Sequence, residues 1–162
     1  MAIVFVLGPG EWARPRGPPT PLDVRLEIRR IVRDHGHEAF LMEEIDAQPG
    51  EALAEKFLRL VELQGVTHIL VYWPANGRMP TTLAGLVALR FLAGRIRLPR
   101  IWLLHQDSVA DTSSGSFDVR IKEGKIAYLR DLARIGAHTV AWHTDQDLYR
   151  LVRGLAARGF EP

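Results

Sequence analysis

The chain predicts an α/β fold: a five-stranded parallel sheet with helices on both faces. Two observations carry this. First, its strand-like segments are short and apolar throughout, as in Ile3–Leu7 and Ile69–Trp73, rather than alternating apolar with polar. Such runs suit strands buried on both faces, the setting of parallel sheets. Second, segments with apolar residues at helical spacing alternate with these strands, without internal repeats or an evident linker. All 162 residues are therefore expected to form a single domain. The commonest arrangement of five such units is the flavodoxin-like order 2-1-3-4-5, in which ligands sit beyond the carboxyl ends of the strands, at the crevice between the first and third.

Taken in order, Ile3–Leu7 is the first strand, closed by Gly8-Pro9-Gly10. Residues Glu11–Pro19 are irregular, because Pro15, Pro18 and Pro19 exclude regular structure. A strand-to-helix loop of this length is unusual, and long loops in compact domains are often lids or binding loops. Thr20-Pro21-Leu22-Asp23 has the spacing of a capping box with Pro in the first turn. Val24, Ile28, Ile31 and Val32 then make one apolar helix face, and Gly36 ends the helix. Ala39–Met42 is the second strand. A second helix carries Leu53, Phe57, Leu60 and Val61. The third strand, Ile69–Trp73, is followed by the loop Pro74–Arg78 and a helix from about Thr81 to Leu92.

Ile101–Leu104 is the fourth strand, followed by a polar loop, Gln106–Asp118. Phe117–Leu129 fits a small hairpin around Glu123-Gly124, and Tyr128–Ile135 fits a helix. Val140–Trp142 is the fifth strand. Thr144–Asp147 repeats the capping-box spacing before a last helix with Leu148, Leu151, Val152 and Leu155 on one face.

Composition narrows the function classes. Without cysteine there is no disulfide, thiol catalysis or thiolate metal site. The six histidines show no metal-ligand spacing, so neither a metal nor a cofactor is expected. No apolar run is long enough to cross a membrane, and the N-terminus has no basic segment before its apolar run; a cytoplasmic protein is the default. A net charge of +2 does not argue for nucleic acid. One Asn, four Gln, no Cys and ten Pro suggest a thermophilic source.

The predicted crevice brings Gly8–Arg16 opposite Trp73–Thr82. Gly8 and Pro9 bring backbone to a ligand or simply make a turn; the stretch matches no standard phosphate loop, and Pro9 lacks the N–H such loops use. Trp12 and Trp73 offer stacking surfaces for a planar base, against the plainer roles of a loop anchor and a core residue. Arg14, Arg16 and Arg78 suit an anionic group. Asn76 can bond a base or ribose, or simply turn the chain before Gly77. Thr81 opens the following helix. His105 and His143 end strands on the site side, where they are candidate acids or bases or structural residues.

Several stretches together resemble the nucleoside 2-deoxyribosyltransferase family, and with it the related Toll/interleukin-1-receptor-like and nucleotide-sensor domains. They are IVFVLGPG, the helix with Arg25 and Arg29, HEAF, HILVYWPANGRMPTTLAGLVAL and LPRIWLL. The resemblance covers roughly residues 1–105 and implies a nucleoside- or nucleotide-like ligand. It also places the family's catalytic Glu within Leu83-Ala84-Gly85, where position 83 is Leu. Cleavage of an N-glycosidic bond passes through an oxocarbenium-like centre that a carboxylate attacks or stabilises. Glu11, Glu43 and Glu44 are the candidates for a relocated one, or are ordinary solvated acids. Three functions follow as expectations: a nucleotide-binding domain without catalysis, an N-glycosidic-bond enzyme with a relocated carboxylate, and a homo-oligomeric interaction domain.

Overall fold

The computed structural model describes residues 1–12, 16–76, 99–106, 130, 134 and 136–162. Within them β1 (Ile3–Leu7), β2 (Glu38–Leu41), β3 (His68–Trp73), β4 (Arg100–Gln106) and β5 (His138–Trp142) form one sheet. All neighbouring strands are parallel, in the order β2-β1-β3-β4-β5. This is the flavodoxin-like arrangement expected from the sequence. Three α-helices are described: α1 (Pro21–Asp34), α2 (Leu53–Leu63) and α3 (Asp145–Ala157). The helix expected at about Thr81–Leu92, the hairpin at Phe117–Leu129 and nearly all of the loop Gln106–Asp118 lie outside the described residues, as does most of Tyr128–Ile135, of which Arg130 and Arg134 are helical.

Both capping boxes form. Thr20 Oγ1 accepts from the Asp23 N–H at 3.1 Å while Asp23 accepts from the Thr20 N–H at 2.9 Å. Thr144 and Asp147 make the same exchange at the start of α3. Four of the five strands differ in their bounds from expectation, β3 by beginning at His68, because pairing, not apolarity, sets them. β2 begins at Glu38, which pairs with Ile3, and stops at Leu41, where Met42–Glu44 tightens into a 3-10 turn. β4 runs to Gln106 and β5 starts at His138, since the ladder between them extends from Trp102–His138 to Gln106–Trp142.

Strand alternation sorts the apolar residues into two layers. Val4, Val6, Leu70, Tyr72, Trp102, Leu104 and Trp142 face α1 and α3. Phe5, Leu7, Ile69, Val71, Trp73, Ile101 and Leu103 face α2 through Phe57, Leu60 and Val61. Each fully buried side chain of this size contributes roughly 1.5–3 kcal/mol, so the two layers are the main source of stability.

One charged group is buried between β1 and α1. Arg25, 1% exposed, donates from Nε to the Pro9 carbonyl at 3.0 Å and reaches Glu43 with both terminal nitrogens, at 3.1 and 2.8 Å. Gly8 makes room for it. A Cβ at position 8 would lie 2.7 Å from Arg25 Cδ and 2.9 Å from the Tyr72 carbonyl oxygen. The exit of β1, the start of the β2 turn and α1 are thus joined at one guanidinium. Glu44 pairs beside it with Arg29 and, at 3.8 Å, with Arg33, and also accepts the Leu41 N–H at 3.1 Å.

These two carboxylates are predicted to differ in weight. Glu43→Ala leaves a guanidinium buried without its counter-charge, a class of change that costs about 3 kcal/mol. Glu44→Ala releases Arg29 and Arg33, which unlike Arg25 reach solvent, and should cost below ~1 kcal/mol. Urea unfolding of both variants checks the contrast; equal losses would contradict the role given to Arg25.

At the amino end of the central strand His68 is 9% exposed and its Nε2 has no hydrogen-bond partner, while Nδ1 lies 2.8 Å from Thr67 Oγ1. Burial lowers its pKa below 6.5; Arg100 and His37 push the same way and Glu161 opposes them. The unfolded chain therefore protonates this residue first, and stability present above about pH 6.5 is lost as pH falls toward the lowered folded value. His68→Phe should flatten the decline in melting temperature between pH 7.5 and 5 relative to the native chain. Parallel pH profiles would reject the assignment.

Candidate functional site

The site must be built from what the carboxyl ends of the strands carry. There the loop after β1, the end of β3 and the junction between β5 and α3 enclose a cleft of about 240 Å³. Trp12 and Arg16 come from the loop, Tyr72 from β3, Gln106 from β4, Trp142 from β5 and Asp145 from the first turn of α3. Tyr72 and Trp142 stack with ring centroids 5.6 Å apart and planes 23° from parallel. Arg16 lies over the Trp12 ring, its guanidinium carbon 4.8 Å from the centroid, a cation–π contact at the rim.

Hydrogen bonds separate scaffold from unused function. Gln106 accepts the Ala75 N–H at 3.0 Å and donates to the His143 carbonyl at 3.2 Å. It thereby fixes the exits of β3, β4 and β5 relative to one another. Trp142 donates to the Leu104 carbonyl at 2.9 Å, and Trp102 donates to the Phe160 carbonyl at 3.1 Å. By contrast, Trp12 Nε1 and the Tyr72 hydroxyl are buried without a hydrogen-bond partner. Both belong to residues lining the cleft. An unsatisfied buried polar group costs roughly 1–3 kcal/mol, so two at one cavity call for an explanation.

The electrostatics follow from burial. Tyr72 is held well above its ordinary pKa by desolvation, with the Asp145 charge adding to the effect. Tyr149 is pushed up to about 12, again first by burial and then by Asp145. The Asp145 carboxyl is itself raised by burial, while Arg16 pulls it the other way. A partly buried carboxyl and an exposed cation at the rim thus share a cleft with two residues, Trp12 and Tyr72, whose polar atoms are buried without a partner.

The sequence expectations meet this geometry unevenly. Trp12 is in the cleft, and His143 lines it. Trp73 is not a stacking surface: it is 0% exposed in the layer facing α2, because alternation gives Tyr72 to the cleft side. His105 follows the same parity as Trp73, being its partner in the β3–β4 ladder, and its buried Nδ1 has no partner. Gly8 and Pro9 serve Arg25 and the close approach of β3 rather than the cleft. Asn76 is exposed beyond β3, and Glu11 is exposed just before Trp12. Glu43 and Glu44 are committed to α1 arginines. Arg14, Arg78 and Thr81 lie outside the described residues.

Tyr72, Gln106, Trp142 and Asp145 were not expected at the site. The signal was present in the stretch Trp142–Asp145, a strand-to-helix junction at the carboxyl edge, which reads at first only as a helix cap. Among the described residues no three His, Asp or Glu side chains group to hold a metal ion, and no helix is long and apolar enough to cross a membrane.

Neither a family model nor a curated protein matches this chain. Solved structures do. The rubredoxin oxygen:oxidoreductase of the anaerobe Desulfovibrio gigas aligns over 98% of this chain with a TM-score of 0.51 and 13% identity. This chain spans 35% of that protein's length. RosB, solved with bound 8-demethyl-8-formylriboflavin 5'-phosphate, aligns over 97% of this chain and 77% of its own, with a TM-score of 0.52 and 13% identity. At such identities the likeness establishes the fold alone.

The unsatisfied hydroxyl gives a direct test of the cleft. Tyr72→Phe keeps the stack on Trp142 and removes the orphaned group. It should stabilise the ligand-free protein by about 1 kcal/mol, raising the melting temperature by roughly 2–4 °C. A loss of stability would show that the hydroxyl is satisfied in solution.

Proposed function

We propose that this chain binds a nucleoside- or nucleotide-like ligand, with the base in the cleft between the loop after β1 and the β5–α3 junction. The observation that supports this most is one cleft that combines aromatic walls, Trp12, Tyr72 and Trp142, with a cation and a carboxylate, Arg16 and Asp145. A heterocyclic base offers a flat body that packs on aromatic surface and ring donors and acceptors for the polar lining. Arg16 at the rim suits a phosphate or the π-face of the base. The sequence resemblance to nucleoside 2-deoxyribosyltransferases points to the same ligand class.

Size favours a base or nucleoside. At about 240 Å³ the cleft falls below the ~300 Å³ at which pockets for drug-sized ligands begin. A three-ring flavin with its ribityl phosphate, of the kind RosB was solved with, would have to extend out of this open cleft. A second reading, cleavage of an N-glycosidic bond, is favoured by one observation: Asp145 places a partly buried carboxyl at the cleft, with a pKa raised by burial. A carboxyl of this kind can stabilise an oxocarbenium-like centre or donate a proton to the departing base.

A thermal-shift panel of nucleosides, nucleoside monophosphates, NAD, ADP-ribose and flavin mononucleotide separates these readings when each hit is followed by chromatography for free base. Nucleosides should raise the melting temperature, and Trp12→Ala should abolish the shift. Release of free base, lost in Asp145→Asn, would favour the enzyme. A shift confined to the flavin would overturn the size argument, and no shift with any compound would overturn the proposal.

A further inference from the structure

The polar groups left unused at the cleft specify a base edge. Of the cleft residues, Gln106 has both ends of its amide committed to backbone, Trp142 has spent its N–H on Leu104, and Thr144 caps α3. Trp12 Nε1 and the Tyr72 hydroxyl are buried within the cleft wall, and the cleft also carries two charged groups, the Arg16 guanidinium at the rim and the Asp145 carboxylate, for which no hydrogen bond is found among the described residues.

We infer that Asp145 reads the ligand's base, and that the ligand is a heterocycle with a ring N–H beside an exocyclic NH2 and a neighbouring carbonyl, the edge shared by guanine and pterin. This rests on the nucleoside-binding proposal above and narrows it. A carboxylate presents two parallel acceptors and no donor. Guanine and pterin meet it with two parallel donors, a bidentate match. Adenine and cytosine set a ring lone pair beside their amino group, against the carboxylate. Uracil and hypoxanthine offer a single N–H there.

Titration calorimetry with guanosine, inosine, adenosine, xanthosine and 6-hydroxymethylpterin tests this on the native chain and on Asp145→Asn, with circular dichroism to confirm folding. Inosine differs from guanosine only by the missing amino group, and a site built on that contact should bind it at least ~10-fold more weakly. Asparagine offers one acceptor and one donor, so Asp145→Asn should lose the guanosine preference and gain xanthosine, whose 2-oxo group accepts where guanine donates. Asp145→Ser, which keeps a polar residue at the helix start, should also erase the guanosine–inosine gap if the Asn variant folds poorly. Equal affinity for guanosine and inosine, or an unchanged gap in both variants, overturns the inference. Nucleoside binding without a preference for this edge would leave the proposed function standing and this inference refuted, whereas no binding by any compound refutes both.

Discussion

Much of this structure hangs on the buried guanidinium of Arg25. A fully desolvated arginine is unfavourable unless its donors are occupied, and here they fix three elements at once. The Pro9 carbonyl binds the β1 exit, Glu43 binds the turn after β2, and the aliphatic stem fills the space that Gly8 leaves open. A glycine at position 8 is therefore a steric requirement set by Arg25 and by the Tyr72 backbone. Because the chain leaving this anchor runs directly into Trp12, the clamp sets where the long loop departs from the sheet and so delivers the indole to the cleft. The ion pair is better understood as a positional device than as a source of net stability, since most of its Coulomb energy offsets desolvation.

The cleft depends on a second device, parity along β3. Tyr72 and Trp73 are adjacent aromatics on one strand, and their side chains must leave opposite faces of the sheet. Pairing of Val4 with His68 and of Trp73 with His105 fixes which face each receives. The face covered by α1 and α3 gains Tyr72, which meets Trp142 from β5 across Leu104. The face covered by α2 gains Trp73. A shift of one residue in the β1–β3 register would exchange them and remove the hydroxyl from the cavity.

This parity explains how much was legible in the sequence. The sheet, its order and the helix caps could be read because each leaves a local trace: an apolar run of strand length, a Thr-x-x-Asp spacing, a helix-ending glycine. The two faces of β3 left none, since His68–Trp73 is buried throughout and an all-apolar strand does not say which residues face which helix. Trp73 was therefore as plausible a stacking surface as Tyr72. Glu43 and Glu44 looked free for chemistry because their partners, Arg25, Arg29 and Arg33, sit on a helix whose rotation about its axis is set by packing. Asp145 was hidden in a different way: its neighbours Thr144 and Asp147 accounted for the local pattern as a cap, and only the tertiary approach of Arg16 and Tyr72 gives the carboxylate a second context.

The fold by itself decides little about activity, since parallel sheets of this order host unrelated chemistries. What discriminates is the balance of satisfied and unsatisfied groups at the carboxyl edge. Two tryptophans, Trp102 and Trp142, donate to backbone carbonyls and serve packing. Two others, Trp12 and Trp73, do not. Trp73 lies in a dry apolar layer, where its orphaned N–H is offset by the burial of a large ring. Trp12 shares a cavity with another orphaned group, a cation and a carboxylate, and packing alone gives no reason for that set to assemble. An apolar side chain at position 72 would fill the same space at lower cost to the folded state. On the proposed reading, the cation and the carboxylate at this cleft, which packing alone does not require, are the physical reason to test it for a ligand.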